Sequence, residues 1–81
     1  MKVIVEDHVQ LGSGQSIYVY ELDPNKSEKK QLQDLINADK KWFKSAHIEI
    51  DEYEVNDTNA SIGGGDYSIG YHIVEVKKQY I

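Results

Sequence analysis

Residues 23–43, DPNKSEKKQLQDLINADKKWF, are the one stretch with helical periodicity, and they decide the fold class. Asp23–Pro24 supplies an N-cap followed by proline at the first helical position. Ser27, with Glu28 after it, offers a second start a few residues later. Apolar residues then recur on one stripe at helical spacing, which predicts a single amphipathic helix: Leu32, Leu35, Ile36 and Phe43, with Trp42 at the edge.

One acid interrupts this apolar stripe. Asp39 points into it, and a buried carboxylate near a helix C-terminus is unfavourable. The sequence therefore predicts that the helix frays near residues 37–41. The segment KKWFK, residues 40–44, would then lead out of the helix, with Trp42 and Phe43 covering one end of the core.

Strand signals dominate both sides of the helix. KVIVEDHVQL (2–11) and QSIYVYEL (15–22) are rich in β-branched and aromatic residues, and the GSG between them predicts a hairpin. SAHIEIDEYEV (45–55) and DYSIGYHIVEVKKQY (66–80) are the third and fourth predicted strands. The order is β-β-α-β-β. We expect one α+β domain over residues 1–81, with a mostly antiparallel four-stranded sheet and one helix packed on a face.

The apolar rows of these strands predict local irregularities. In the first strand Asp7 falls in the same row as the apolar residues, so either a bulge re-phases the strand near Glu6–Asp7 or the row is only partly buried. The third strand changes phase near Asp51–Glu52, which indicates a second bulge. The fourth is apolar on both faces near its end, which predicts a central strand. The mixed row of the first strand is Val3, Val5, Asp7, Val9 and Leu11.

The charges are unevenly distributed along the chain. The net charge is −5, and all nine basic residues are lysine. Residues 24–44 carry six lysines and three acids, a balance of +3, whereas the rest carries three lysines and eleven acids, a balance of −8. Specific readers of nucleic acid usually rely on arginine, and acidic flanks repel a polyanion. We therefore expect no direct binding of nucleic acid.

The stretch NDTNASIGGGD, residues 56–66, is rich in oxygen ligands and glycine. Asp57, Asn59 and Ser61 alternate as in the first half of an EF-hand loop, but Ile62 and Ser68 stand where that loop needs glycine and a bidentate glutamate. The run GGGD also lacks the lysine and the following helix of a phosphate-binding loop. The sequence predicts a long, mobile hairpin loop and no cofactor.

A histidine and two acids alternate in the third predicted strand. His47, Glu49 and Asp51 would share one strand face. If the first strand were its neighbour, Glu6 and His8 could complete a histidine–carboxylate metal site. Solvated histidine and glutamate on an open sheet face are commoner, so no metal ligand is predicted. A small-ligand or divalent-metal protein that uses this face or the Gly-rich loop remains an alternative.

The acidic stretch around the third strand is the most unusual feature. Five acids fall within residues 49–57 without a basic residue among them, and tyrosines lie nearby. A negative patch with aromatic anchors is suited to docking on a basic protein surface. Six tyrosines and two sheet edges also favour a homo-oligomer. The predicted partner-binding residues are Glu49, Asp51, Glu52, Tyr53, Glu54, Asp57, Asp66 and Tyr67.

Catalysis has no recognisable machinery in this sequence. There is no cysteine, and no serine lies in a nucleophile elbow. Without a signal peptide or a long apolar segment, we expect a cytoplasmic protein that does not bind membranes. The leading interpretation is a non-enzymatic protein-binding module, an inhibitor or adaptor of the small acidic kind found among phages and mobile elements. A structural homo-oligomer-forming domain is the other alternative.

Overall fold

A computed structural model describes residues 1–77 and shows an α+β fold with one helix on a five-stranded antiparallel sheet. Across the sheet the strand order is β2-β1-β5-β4-β3, so β2 and β3 are the edges. Positions 78–80 of the last predicted strand lie outside the described residues. The elements are β1 Lys2–Gln10, β2 Gly14–Glu21, α1 Glu28–Ser45, β3 Glu52–Val55, β4 Asn59–Gly64 and β5 Tyr67–Glu75.

The predicted α+β class and single helix are confirmed, but the sheet has a fifth strand. This strand, β4, occupies most of the stretch predicted as a mobile loop. It pairs with β3 on one side and β5 on the other, with Ile62 opposite Tyr53 and Ile69. Ala60 and Ile62 are buried on the same face. The alternation of these two apolar residues is a strand signal that the surrounding glycines and polar residues obscure.

The glycines have specific places in this hairpin. Gly64 is the last residue of β4, and a Cβ there would collide with the backbone of Glu49. Gly65 and Asp66 form a two-residue turn into β5, and Gly65 has φ of 57°. Such turns need positive φ at their first position, which glycine adopts without strain.

The helix begins at the second of the two predicted starts. The hydroxyl oxygen of Ser27 accepts a hydrogen bond from the backbone N–H of Lys30 at 3.1 Å, which caps the first turn. The predicted fraying is wrong, because α1 continues to Ser45. Phe43, in the segment predicted to leave the helix, is fully buried.

The core lies between α1 and one half of the sheet. The helix packs most closely on β4 and β3. Its buried residues, Leu32, Ile36 and Phe43, form one cluster with Ile62 and Ile69 of the sheet. No residue of β2 belongs to this cluster, and every residue of that strand is exposed. In residues 1–77 no helix has the length and apolar character needed to cross a membrane.

Neither bulge is present, and of the two alternatives for the first strand the partly buried row is the one that the structure shows. The pairing of β1 with β2 and β5 is continuous, so the mixed row of β1 is only partly buried and lies on the far face of the sheet. Ile4, Glu6 and His8 occupy the opposite, helix-side face. Strand β3 begins only at Glu52. The apolar alternation changes phase before it because residues 46–51 are a connector, not a bulged strand. The central position of β5 is confirmed.

The close approach at Gly64 generates a stability prediction. Gly64→Ala should lower the free energy of unfolding by about 1–3 kcal/mol, because the added methyl group displaces the segment at Glu49. Gly70→Ala is the matched control, since its Cβ meets open space; the gain over glycine in a strand is about 0.5–1 kcal/mol. Urea denaturation measures both. Equal effects of the two substitutions would contradict the packing described for β4.

Candidate functional site

A groove runs between α1 and the strands β1 and β2. Its central cavity has a volume of about 330 Å³. A second cavity of about 350 Å³ shares His8 and Trp42 with it, and a third of about 220 Å³ shares Tyr20 and Leu35. The three cavities therefore adjoin one another along the helix, and together they are called the acidic groove below. The central cavity is lined by Glu6, His8, Tyr20, Leu35, Ala38, Asp39, Trp42, Ile69 and Tyr71.

Glu6 provides the buried carboxylate of the groove. Glu6 is only 6% exposed, and its Oε1 accepts a hydrogen bond of 2.5 Å from the Tyr20 hydroxyl. Its Oε2 lies 3.4 Å from Nδ1 of His8. Burial of Tyr20, together with the hydrogen bond to Glu6 and the charge on that carboxylate, raises the pKa of Tyr20 to about 12. Tyr20 is therefore a neutral, permanent donor at physiological pH.

Asp39 provides a second carboxylate from the helix. Its Oδ2 accepts a 2.5 Å hydrogen bond from the Tyr71 hydroxyl, which is the partner that allows Asp39 to remain in the apolar stripe. Burial raises the pKa of Asp39 and the charge on Glu6 raises it further, while the bond from Tyr71 and the charge on His8 lower it. The net shift is upward. The folded protein thus destabilises the ionised form of the Asp39 carboxylate.

Aromatic rings form the end of the groove near the first hairpin. Trp42 is 40% exposed and meets Tyr67 edge-to-face, with ring centroids 5.0 Å apart. His8 also meets Tyr67 edge-on at 6.2 Å. On β2, Tyr18 is half exposed and lines the same cavity. These rings leave broad apolar and π surfaces open to a ligand.

Apart from His8, the charged residues that line the groove are acids. Among the described residues, the three cavities include Glu6 and Asp39 at the centre and Glu21 and Asp34 at one end, and no lysine. Asp34 is partly neutralised by Lys30, whose Nζ lies 2.6 Å from its carboxylate. The groove is consequently a negative, aromatic channel, which favours a cationic ligand.

Five of the predicted partner-binding residues lie along the β3 edge. Glu52 and Glu54 are on β3 itself, on the far face of the sheet, and both are exposed. Glu49 and Asp51 precede that strand, and Asp57 follows it in the turn to β4. All are exposed, and Asp57 lies 3.9 Å from Nζ of Lys29. These five exposed acids follow the β3 edge of the sheet and are called the acidic edge below.

The other three predicted residues lie elsewhere. Tyr53 projects from β3 toward the helix, where Nζ of Lys40 lies 3.6 Å from its ring centroid. Asp66 is in the β4–β5 turn, and its carbonyl oxygen accepts a hydrogen bond from the backbone N–H of Leu11. Tyr67 belongs to the acidic groove. The predicted tyrosine-bearing acidic surface is thus divided among the acidic edge, the helix-side face of β3, the β4–β5 turn and the acidic groove.

The histidine–carboxylate face is not formed as the sequence alternation suggested. His47 lies in the turn after the helix with φ of 58°, and residues 46–51 are not a strand. Strands β5 and β4 separate β1 from β3, so His8 is not its neighbour. Within residues 1–77, no three histidine, cysteine, aspartate or glutamate side chains are grouped so that they could hold a metal ion.

Of the groove residues only Tyr67 was predicted as functional; the two carboxylates and the tyrosines that hold them, Glu6, Tyr20, Asp39 and Tyr71, were not. Asp39 carried a signal, because a carboxylate within an apolar helical stripe requires a buried partner or a functional reason. Glu6 carried a weaker one, because it shares a strand face with Ile4. Comparison of the chain with family models, curated proteins and solved structures finds no match.

The raised pKa of Asp39 predicts how the stability of the protein depends on pH. Because the folded chain binds this proton more tightly than the unfolded chain, ionised Asp39 lowers stability above its folded pKa. Asp39→Asn keeps an oxygen acceptor for Tyr71 and removes the charge. We expect a higher melting temperature than wild type at pH 7, with the difference shrinking as pH falls through the folded pKa of Asp39.

Asp34→Asn is the control for this prediction. It removes an exposed helix carboxylate and its ion pair with Lys30, so we expect a small loss or no change at pH 7. Thermal unfolding followed by circular dichroism at several pH values compares the variants. A larger loss at pH 7 for Asp39→Asn than for Asp34→Asn would show that the Asp39 carboxylate is a stabilising group.

Proposed function

We propose that this chain is a non-enzymatic protein-binding module, an adaptor or inhibitor, which binds a basic segment of its partner in the acidic groove. The observation that carries the proposal is the pair of carboxylates, Glu6 and Asp39, held in an open aromatic groove that no lysine lines among the described residues. Burying acids lowers stability, and their retention at a concave surface favours a binding role.

The chemistry of the groove suits lysine or arginine side chains. A cation gains from a carboxylate acceptor and from the face of an aromatic ring, and both kinds of group occur together at Asp39 and Trp42. Each carboxylate is already oriented by a tyrosine hydroxyl, so little reorganisation accompanies binding. The fixed acceptor geometry supports recognition rather than turnover.

The shape of the groove supports a polypeptide ligand. Three cavities of side-chain size follow one another along α1. A segment lying along the helix could place successive side chains in them, with its backbone over the exposed ring of Tyr18. The acidic edge, Glu49 to Asp57, adds a negative field that steers a basic partner during encounter. The predicted edge residues thus contribute to association rate and the groove to retention.

The single tryptophan allows a direct test. Trp42 is the only one in the chain and lines the groove, so its emission reports occupancy. We expect a saturable change on titration with a lysine-rich amphipathic peptide, and no change with the same peptide carrying glutamine for lysine. The affinity should fall as salt rises. The double variant Glu6→Gln/Asp39→Asn should weaken binding by roughly tenfold or more, the effect of losing a charged hydrogen-bond acceptor.

The double variant Glu52→Gln/Glu54→Gln is the matched control, because it removes the same charge from the acidic edge. It should slow association while leaving the dissociation rate unchanged. Circular dichroism verifies that both variants are folded. A saturable signal that only the edge variant weakens would place the site on β3, and no saturable signal with any basic peptide would contradict the proposed function.

A further inference from the structure

One side chain of the acidic groove can change its charge near neutral pH. Among the described residues that line the three cavities, His8 alone can become a cation. Histidine side chains titrate between about pH 5 and pH 8, and the imidazole of His8 is 30% exposed, so solvent protons reach it. Protonation of His8 therefore places a positive charge among the carboxylates of the groove.

The backbone holds His8 beside the two central carboxylates. Strand β1 is paired on both sides at this position, with Ser16 of β2 and Ile69 of β5 opposite His8. Nδ1 of His8 lies 3.4 Å from Oε2 of Glu6, which is two residues earlier and on the same face of the strand. Burial raises the pKa of Asp39 and a charge on His8 lowers it, so His8 acts on the helix carboxylate as well.

Every element packed around the imidazole contributes a titratable group, and none of these groups is a lysine in the described part of the chain. The first partner of a protonated His8 is therefore the nearby carboxylate of Glu6. The titratable side chains that share the two cavities with His8 are Glu6 of β1, Tyr18 and Tyr20 of β2, Asp39 of α1, and Tyr67 and Tyr71 of β5.

We propose that His8 makes binding in the acidic groove depend on pH: neutral His8 leaves the groove open to a basic segment, whereas protonated His8 pairs with Glu6 and repels that segment. This inference rests on the proposed function, because it concerns the same ligand at the same site. A ligand ammonium group at Glu6 would lie close to the imidazolium, and two like charges at such a distance repel strongly. Asp39 acts in the same direction, because its raised pKa lets it lose its charge as pH falls.

Proton linkage determines the sign of the effect. A cation bound in the groove disfavours the protonated form of His8, so the complex holds fewer protons than the separate protein and peptide near pH 6.5, roughly where histidine titrates. Affinity must therefore rise with pH through this range. Lysine side chains of the peptide ordinarily have a pKa of about 10.4 and keep their charge there, so the change comes from the protein.

Calorimetric titration with the lysine-rich amphipathic peptide, made without histidine or acids and with an amidated C-terminus, tests the inference. We expect the wild-type affinity to be roughly tenfold higher at about pH 7.5 than at about pH 5.5. His8→Gln, which stays neutral, should lose most of this ratio. His8→Lys, which stays charged, should bind more weakly than His8→Gln at both pH values. His72→Gln is the matched control, because His72 is an exposed histidine of β5 outside the groove, and it should keep the wild-type ratio.

Titrations in two buffers of different ionisation enthalpy provide a second readout that needs no variant. Near pH 6.5, roughly where histidine titrates, the wild type should release protons when the peptide binds. Circular dichroism at both pH values verifies that each protein is folded.

The outcomes separate the two failures. Saturable binding at the higher pH with no loss at the lower one, or with no release of protons, would overturn the inference and leave the proposed function standing. A His8→Gln variant that keeps the wild-type ratio would do the same. No saturable binding at either pH would overturn both.

Discussion

The off-centre position of the helix is the constraint from which the rest of the structure follows. Leu32, Ile36 and Phe43 are buried against the β4 side of the sheet. Gly64 allows the segment before β3 to approach the end of β4 closely. One helix cannot cover five strands: Ile4 of β1 still reaches the core, but every residue of β2 is exposed. The acidic groove occupies the area that the helix leaves uncovered.

The groove is built at a cost to stability. Glu6 is the most buried charged residue among those described, and Asp39 has its pKa raised by burial. Each is held by one tyrosine hydroxyl, from Tyr20 and Tyr71. A core made only for stability would place apolar side chains at these positions. Binding surfaces commonly retain such destabilising groups, because the ligand supplies the missing partner.

Local signals predicted the local structure well, and tertiary partners account for the errors. The apolar stripe identified the helix, and Ser27 identified one of its two starts. The run that is apolar on both faces predicted a central β5. Strand β4 was missed because its glycines have low strand propensity, although Ala60 and Ile62 alternate correctly. Asp39 was interpreted as a helix end because its partner, Tyr71, is 32 residues away and becomes adjacent only in the fold.

The same difficulty affects the candidate functional site. The acidic edge was visible because its residues are consecutive in the sequence, whereas the groove assembles acids and rings from β1, β2, α1 and β5. Backbone amide shifts during titration with a lysine-rich peptide test the central claim most directly. The account predicts that the largest changes occur along the groove, at Tyr18, Asp39, Trp42 and Tyr71. Changes confined to residues 49–57 would contradict it and assign binding to the acidic edge.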